Sequence, residues 1–413
     1  MASPKKITAV KQRPPVIAVL GHVDHGKTTL LDYIRKATIA SREAGGITQA
    51  IGAYEIEHSK KRITFIDTPG HEAFSAMRSR GARVADIAIL LVAATDGVKP
   101  QTKEAINIIK ETNTPFIVAI NKTDAKHADV DKTKNELTAE GVLLEGYGGN
   151  VSFQPISAKT GEGVDELLDL LLLATELTEL PYDETKPGTG IILEAEMDAR
   201  RGIVASGVIL DGTLSTGEYI KAGSAVGKIK GMQNFLGKVI KEAIPSSPVL
   251  LLGFETLPVV GETFTTQKSA FGVMKKIVPE VISAEIAPQN NNEEIHTLRL
   301  MLKASDAGSL EALTQIIEHL PRPKQIDLII ADTSVGVISD NDIKTAIATG
   351  VQIVGFKIKA SKAAQIFSEA HNVKMYTSEI IYEVTQALEG EFKRLDKTIV
   401  KGDLEILGVF GKK

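Results

Sequence analysis

Gly21, Gly26, Lys27 and Thr28 stand in the spacing G-x-x-x-x-G-K-[ST], written in this chain as Gly21-His22-Val23-Asp24-His25-Gly26-Lys27-Thr28. The chemistry that spacing allows is the holding of phosphate. Glycines let backbone N–H groups turn inward toward phosphate oxygens, and the start of a following helix adds partial positive charge. A lysine at this place reaches β- and γ-phosphates, and the neighbouring hydroxyl can bind Mg²⁺. The same letters also fit a glycine-containing turn between a strand and a helix. The flanks favour the cradle: the motif follows the apolar run Val16-Ile17-Ala18-Val19-Leu20 and leads into a helical pattern from Thr29 to Ala37. Strand, loop and helix in that order are the context the motif requires.

Three further segments complement a phosphate loop. Asp67-Thr68-Pro69-Gly70 closes the apolar run Ile63–Ile66. That position puts Asp67 at the carboxyl edge of a sheet, where it can hold a Mg²⁺ shell through water. The Gly70 N–H can approach a γ-phosphate and leave when that group is lost. By itself the tetrapeptide also reads as a plain turn.

Asn121-Lys122-Thr123-Asp124 closes the run Phe116–Ile120. The Asp124 carboxylate can accept hydrogen bonds from N1–H and the exocyclic amine of guanine. Adenine offers no such pair, and sites built this way reject the wrong partner by about 10⁴-fold. The Lys122 stem can cover the face of the base, and the Asn121 amide can tie loops together. Ser157-Ala158-Lys159 follows the last strand, where a backbone N–H can reach the guanine carbonyl oxygen. N-K-x-D alone is a weak signal. Four motifs in this order, each at a strand end, point to one guanine-nucleotide site running from Gly21 through Thr29 to Lys159.

The elements that must carry these residues alternate. Strand-like Val16–Leu20, Arg62–Ile66, Ile87–Ala93, Phe116–Asn121 and Val151–Ile156 are separated or followed by helical patterns near Thr29–Ala37, Glu72–Arg80, Thr102–Glu111, Lys132–Glu140 and Val164–Leu177. This predicts a mostly parallel sheet covered on both faces. After Pro181 a polar stretch holding Pro187, Gly188 and Gly190 reads as a linker. From Ile191 to Phe264 short strands are split by glycine turns, as in a small antiparallel β-barrel. From Glu294 a second βα alternation predicts a second α/β domain: strands His296–Lys303, Ile326–Ala331, Val351–Ile358 and Val373–Tyr376, with helices Ser309–His319, Asp340–Thr349 and Lys362–Ala370. Glu379 to Leu395 reads as a long helix, and Leu404–Phe410 as one strand, too little to form a domain.

The domains expected are therefore an extension at 1–13, a nucleotide-binding domain at 14–181, a barrel at 182–287, an α/β domain at 288–378 and a connecting helix at 379–397. The start of a further barrel would lie at 398–413.

Bulk properties fit a multi-domain globular chain. It has 413 residues, 43% apolar and 24% charged, and no cysteine. The missing cysteines exclude a disulfide framework and thiolate metal sites, and suit a reducing compartment. No apolar stretch reaches the ~20 residues of a bilayer span. Met1 to Arg13 lacks the apolar core of a secretory signal. A cytoplasmic, monomeric protein with no membrane partner is expected. The net charge of −4 gives no overall basic footprint for nucleic acid, although Lys221, Lys228 and Lys230 form a local patch.

The first domain resembles the P-loop GTPases. His-Val-Asp-His inside the loop, His71 after Asp-Thr-Pro-Gly, and Gly45-Gly46-Ile47-Thr48 resemble the translational GTPases among them. Glu43 to Gln49, Gly70-His71-Glu72-Ala73-Phe74 with Met77-Arg78, and Asp96-Gly97-Val98 before Pro100-Gln101-Thr102 are similar to the bacterial translation initiation factor 2 family. So are Gly212-Thr213-Leu214 and Met232 to Gly237 in the barrel, and Leu302 to Leu313, Ile353 to Phe356 and Ile380-Ile381-Tyr382 beyond it.

The resemblance implies a ribosome-stimulated GTPase switch with GTP or GDP and Mg²⁺ bound. It would help place initiator tRNA and join the ribosomal subunits. Thr28 and Thr48 would complete the metal shell, His71 would orient the attacking water, and Val23 with Ile47 would form an apolar gate. His71 also reads as a capping or surface residue, and His22, Asp24 and His25 as structural parts of the loop. Two departures, Ala50 in place of a common histidine and Ala199-Arg200-Arg201-Gly202 in a usually basic loop, touch neither phosphate nor base. The family's tRNA-binding barrel would start near Thr398 and is nearly absent, so weak or no initiator-tRNA binding is expected.

Other readings stay open on the sequence: an aminoacyl-tRNA-carrying elongation factor, a P-loop metabolic enzyme, and a binding module that uses GTP without hydrolysing it.

Overall fold

The computed structural model describes residues 11–39, 52–67, 74–271 and 296–399. The chain divides into two compact units, one ending at Met274 and the other beginning at Lys275.

The first unit opens with a short strand, β1 (Lys11–Gln12), and β2 (Val16–Gly21). The βα alternation follows as α1 (Lys27–Ile39), β3 (Ala53–His58), β4 (Lys61–Ile66), α2 (Ser75–Val84), β5 (Ile87–Ala93), α3 (Pro100–Thr112), β6 (Phe116–Asn121), α4 (Val130–Ala139), β7 (Phe153–Pro155) and α5 (Val164–Glu176). The sheet order is β3-β4-β2-β5-β6-β7. All its pairings are parallel except β3 with β4.

Both faces of the sheet are buried, and the period-2 alternation of side chains divides them. Ile17, Ile89, Leu91 and Ile117 pack with Leu30, Ile34, Phe65 and Leu167 on one side. Leu20, Leu90, Val92, Val118 and Ile120 pack with Ile106, Ile109 and Leu137 on the other. After β2 the chain builds first toward β4 and then toward β5. The strand order thus reverses beside β2, and an open α/β sheet places ligands at that point, outside the carboxyl ends.

The antiparallel edge strand β3 departs from the sequence reading, which had no strand there. Ser59 and Lys60 form its hairpin turn with φ of 49° and 62°. Positive φ at both turn positions is the geometry of a tight two-residue hairpin, usually signalled by Asn or Gly. Neither residue gives that signal. The strand expected over 151–156 shortens to β7, Val151 making only an isolated bridge to Leu144.

The barrel is closed and antiparallel. After β8 (Pro181–Tyr182), which pairs with β1, come β9 (Thr189–Asp198), β10 (Gly202–Asp211), β11 (Leu214–Ser215), β12 (Tyr219–Ala222), β13 (Ala225–Asn234), β14 (Val239–Ile240), β15 (Glu242–Ala243), β16 (Pro248–Phe254) and β17 (Thr263–Gln267). Six of these strands run in the order β12-β17-β9-β10-β16-β13, and β13 pairs back to β12. Gly253 lets the wall bend: its φ is 129°, and a Cβ there would lie 1.9 Å from the Lys228 carbonyl oxygen. Side chains cannot occupy such a corner.

The barrel is fastened to the α/β sheet. Val16, Ala53, Ile66 and Val84 share one apolar cluster with Val204, Val208 and Leu250. Thr64 Oγ1 donates to the Ser246 carbonyl at 2.6 Å. Arg13 grips Asp86 through two nitrogens, at 2.6 and 2.7 Å, and donates to Ser246 Oγ at 3.2 Å. The same Asp86 carboxylate accepts the Val16 N–H at 2.8 Å.

The second unit holds four parallel strands, β18 (His296–Ala304), β19 (Ile326–Val335), β20 (Gln352–Phe356) and β21 (Met375–Ser378), in the order β19-β18-β20-β21. Its helices are α6 (Ala307–His319), α7 (Asp340–Thr349), α8 (Lys362–Ala370) and α9 (Ile381–Ile399). Helix α9 starts two residues later than Glu379 and runs past Leu395. Its buried Ile381, Val384, Leu388 and Phe392 lie on one helical stripe. Glu391, buried on α9, takes a hydrogen bond from Tyr376 at 3.2 Å and an ion pair from Lys374. Burial and the adjacent Glu391 push the Tyr376 hydroxyl up to about 12.

Asp86→Ala leaves the Arg13 guanidinium and the Val16 N–H without their shared carboxylate. It should lower stability by about 3 kcal/mol, the scale for breaking a buried pair from one side. Urea denaturation of parent and variant measures this, and indistinguishable midpoints would show that the grip adds nothing.

Candidate nucleotide site

The phosphate loop joins β2 to α1. Its first glycine is dictated by the sheet: Gly21 has φ of 149°, and a Cβ there would stand 2.3 Å from the Leu91 carbonyl oxygen of β5. At the other end Gly26, with φ of 93°, faces the Asn121 side chain, whose Nδ2 would lie 2.3 Å from an added Cβ. Between them Asp24 takes a left-handed φ of 65°.

Asn121 ends β6 and binds two loops at once. Its Nδ2 donates to the His25 carbonyl at 2.8 Å, and its Oδ1 accepts the Ala158 N–H at 2.9 Å. The expectation that this amide ties loops together agrees with that geometry. Ser157 Oγ donates to Asp124 Oδ1 at 2.7 Å, orienting the carboxylate, and also accepts the Thr160 N–H at 3.2 Å. Thr123 Oγ1 donates to the Ile156 carbonyl at 3.0 Å. Lys122, with φ of 64°, places its ammonium 3.3 Å from Asp96 Oδ2. The Ser157 N–H is used on the Glu162 carbonyl. In this conformation the Ser157 and Ala158 amides are thus both engaged inside the protein.

Lys27 is buried. Its ammonium donates to the loop's own Gly21 and His22 carbonyls, at 2.6 and 2.7 Å. Burial, with the Arg78 guanidinium nearby, lowers its pKa to about 8. Arg78 is itself 1% exposed and paired to Glu104 at 2.6 Å. His25 is fully buried, and burial lowers its pKa to about 4, so its ring is neutral at pH 7. The His22 and His25 rings meet edge to face with centroids 5.0 Å apart.

A cavity of about 650 Å³ opens on the loop. Val23, Asp24, Gly26, Lys27, Thr28 and Thr29 line it on one side and Asp67 on another. Asp67 lines the cavity with an exposed side chain, and partial desolvation of its carboxyl raises the pKa. The far wall comes from Met77 and Arg80 of α2 and from Ile192, Glu194 and Val260 of the barrel. Among the described residues no group of three or more His, Cys, Asp or Glu could hold a metal ion. Thr28 and Asp67 nevertheless bring two oxygen ligands to one cavity. That pair suits Mg²⁺, which keeps waters and takes phosphate oxygens rather than an all-protein cage.

Ile47, Thr48, Thr68, Pro69, Gly70 and His71 lie outside the described residues, as do the expected start of a further barrel after residue 399 and the extension before residue 11. The sequence reading gave no role to Gln101, whose Oε1 accepts the Val23 N–H at 2.9 Å, or to Asp96, Arg78 and the barrel wall. Asp96 and Gln101 were visible only as letters of a family-like string. Nothing in their spacing announced contact with the loop or with Lys122.

Three family models match the chain in succession: Elongation factor Tu GTP binding domain over residues 12–176, Elongation factor G domain 2 over 187–267, and Translation-initiation factor 2 over 276–389. Among solved structures, GDP-bound aIF5B from Aeropyrum pernix is similar at 27% identity and a TM-score of 0.52. That match covers 94% of this chain and 76% of that one. Translation elongation factor SelB from Methanococcus maripaludis, in complex with the GTP analogue GppNHp, is 28% identical with a TM-score of 0.49. It covers 62% of this chain and 56% of that one. No described helix is long and apolar enough to cross a membrane.

The Lys27 pKa gives a signed pH dependence. Phosphate favours the charged amine. Below pH 8 the free protein already carries that charge, and above it each binding event must take up a proton. GDP should therefore bind about tenfold more weakly at pH 9 than at pH 7, measured by calorimetry. Equal affinities would show that Lys27 is fully charged throughout.

Proposed function

We propose that this chain, a translational GTPase in its domain content, acts at initiation as a GTP-dependent switch. In this reading it promotes initiator-tRNA placement and the joining of ribosomal subunits, and ribosomes stimulate its hydrolysis of GTP. The observation that carries the reading is the meeting of the Gly21–Thr28 loop and the Asn121–Asp124 segment at one sheet edge through Asn121. The Translation-initiation factor 2 match over residues 276–389 supports initiation in particular. The Elongation factor Tu GTP binding domain match over residues 12–176 and the structural neighbour bound to GDP support guanine nucleotide as ligand.

The roles follow from the geometry. Lys27 would leave the Gly21 and His22 carbonyls to hold β- and γ-phosphate oxygens, while the loop amides from Asp24 onward neutralise charge as it develops. Asp124, oriented by Ser157, would read the guanine edge, with the Lys122 stem against the base. Thr28, Thr48 and, through water, Asp67 would hold Mg²⁺, which when bound neutralises phosphate charge. His71 would orient the water that attacks the γ-phosphorus as the bond to the β-phosphate oxygen breaks. Val23 and Ile47 would keep His71 away until the ribosome moves it.

Loss of the γ-phosphate would release the segments around Thr48 and Gly70. Met77, Arg80 and Val260 share the cavity wall, and through that wall the barrel would feel the release. Domain limits near 14–181, 182–287 and 288–378, with α9 as the connecting element, belong to the same proposal. In this reading the barrel would meet ribosomal RNA through a local basic patch: Lys228 lies 5.4 Å from the centre of the Tyr219 ring, and Lys228 and Lys230 are both exposed on β13. An elongation factor with barrels in both later domains is disfavoured by the parallel α/β sheet of the second unit.

GTP turnover with and without ribosomes tests the proposal, together with co-sedimentation on 30S and 70S particles in GTP analogue and in GDP. Stimulated turnover and analogue-dependent binding are expected; turnover indifferent to ribosomes would remove the assignment. His71→Ala should leave GTP affinity near that of the parent and slow stimulated hydrolysis by about 10²-fold or more. Parent-like turnover would exclude His71 from the reaction. Asp124→Asn should shift preference from guanine toward xanthine nucleotides, and unaltered selectivity would show that the base is read elsewhere.

A further inference from the structure

The phosphate loop is gripped on both sides of its left-handed residue. On the near side the Val23 N–H donates to Gln101 Oε1 at 2.9 Å. On the far side the His25 carbonyl accepts from Asn121 Nδ2 at 2.8 Å. Asp24 lies between the two grips with φ of 65°. A non-glycine residue persists in that region only where its surroundings over-determine it. Two side-chain amides from different elements, one before Asp24 and one after, provide that determination.

Gln101 is well placed to grip. It is the second residue of α3, behind Pro100, in a first turn fixed by buried Thr102, whose hydroxyl accepts the Lys99 N–H at 3.2 Å. The segment leading into the helix is pinned in turn, since the Val98 N–H donates to Glu136 Oε2 of α4 at 2.8 Å. A glutamine at a helix N-terminus ordinarily extends into water. This one is half-buried and turned onto the loop.

We propose that Gln101 is a positioning residue of the phosphate loop. Its carboxamide oxygen holds the Val23 N–H away from the cavity, so that the phosphate-facing run of amides begins at Asp24. By the same bond it fixes the Val23 side chain at the cavity wall. The assignment rests on the reading of this loop as a GTP site.

The test is the dissociation rate of N-methylanthraniloyl-GDP, followed by stopped-flow fluorescence for the parent, Gln101→Leu and Gln101→Glu. Leucine keeps the bulk and removes the acceptor, and release should be about fivefold to tenfold faster, the scale of one hydrogen bond. Glutamate keeps an acceptor at the same reach and should stay within about threefold of the parent. A role in packing alone would be kept by leucine, which preserves the bulk, and by glutamate, which preserves the shape, so it predicts parent-like release from both variants. Parent-like release from Gln101→Leu, or equal acceleration in both variants, overturns the proposal. Should Gln101→Leu not fold, as judged by its thermal transition, Gln101→Met makes the same comparison with an unbranched side chain. A parent that does not hold the nucleotide overturns the underlying reading as well, and its failure shows in the unmutated chain.

Discussion

One side chain holds the nucleotide-binding edge together. Asn121 leaves the end of β6 and spends both halves of its amide on backbone groups of other loops, the His25 carbonyl and the Ala158 N–H. A phosphate cradle and a base pocket are separate problems in a sheet of this kind, because they hang from different strands. Here they share one rigid group. Gly26 must be glycine because that amide presses against it, and Asp124 and Ser157 lie on the two segments that the amide aligns. Buried polar groups of this type are high-stakes, since a fully satisfied one specifies a single arrangement and a half-satisfied one is costly.

The barrel completes the arrangement from outside the sheet. Arg13, Asp86, Thr64 and Ser246 fasten it beside β2 and β4, and the apolar cluster between them is continuous. As a result the cavity beside Lys27 is walled by α2 and by the barrel strand β9 as well as by the loop. In the proposed switch, this shared wall is where the presence or absence of a terminal phosphate becomes a change felt by a second domain. Coupling of about 1–3 kcal/mol is sufficient for such a switch.

Much of this was legible in the sequence because the signals were local. The run Val16–Leu20, the glycine spacing and the helical pattern behind it describe consecutive residues, and the strand, loop and helix formed where expected. The closed barrel was announced by its glycine turns, and the second α/β unit by its alternation. What escaped depended on three-dimensional proximity or on unusual local chemistry. Strand β3 was hidden by a hairpin turn made from Ser59 and Lys60. Gln101 and Asp96 are ordinary polar residues until the fold brings them to Val23 and Lys122. Arg78 appeared in the sequence only as a letter of a family-like string, yet it is buried against Glu104 and, after burial itself, lowers the Lys27 pKa. The barrel's share of the cavity wall could not be read from strands more than a hundred residues away.

Guanine recognition through Asp124, at an edge that Asn121 aligns, is the claim on which the functional reading stands. Isothermal titration of the intact chain with GTP and with ATP, at one pH and one Mg²⁺ concentration, tests it most directly. The account predicts measurable GTP binding and ATP binding weaker by about 10⁴-fold, because adenine would leave the Asp124 carboxylate unpaired. Equal affinity for the two nucleotides would contradict it.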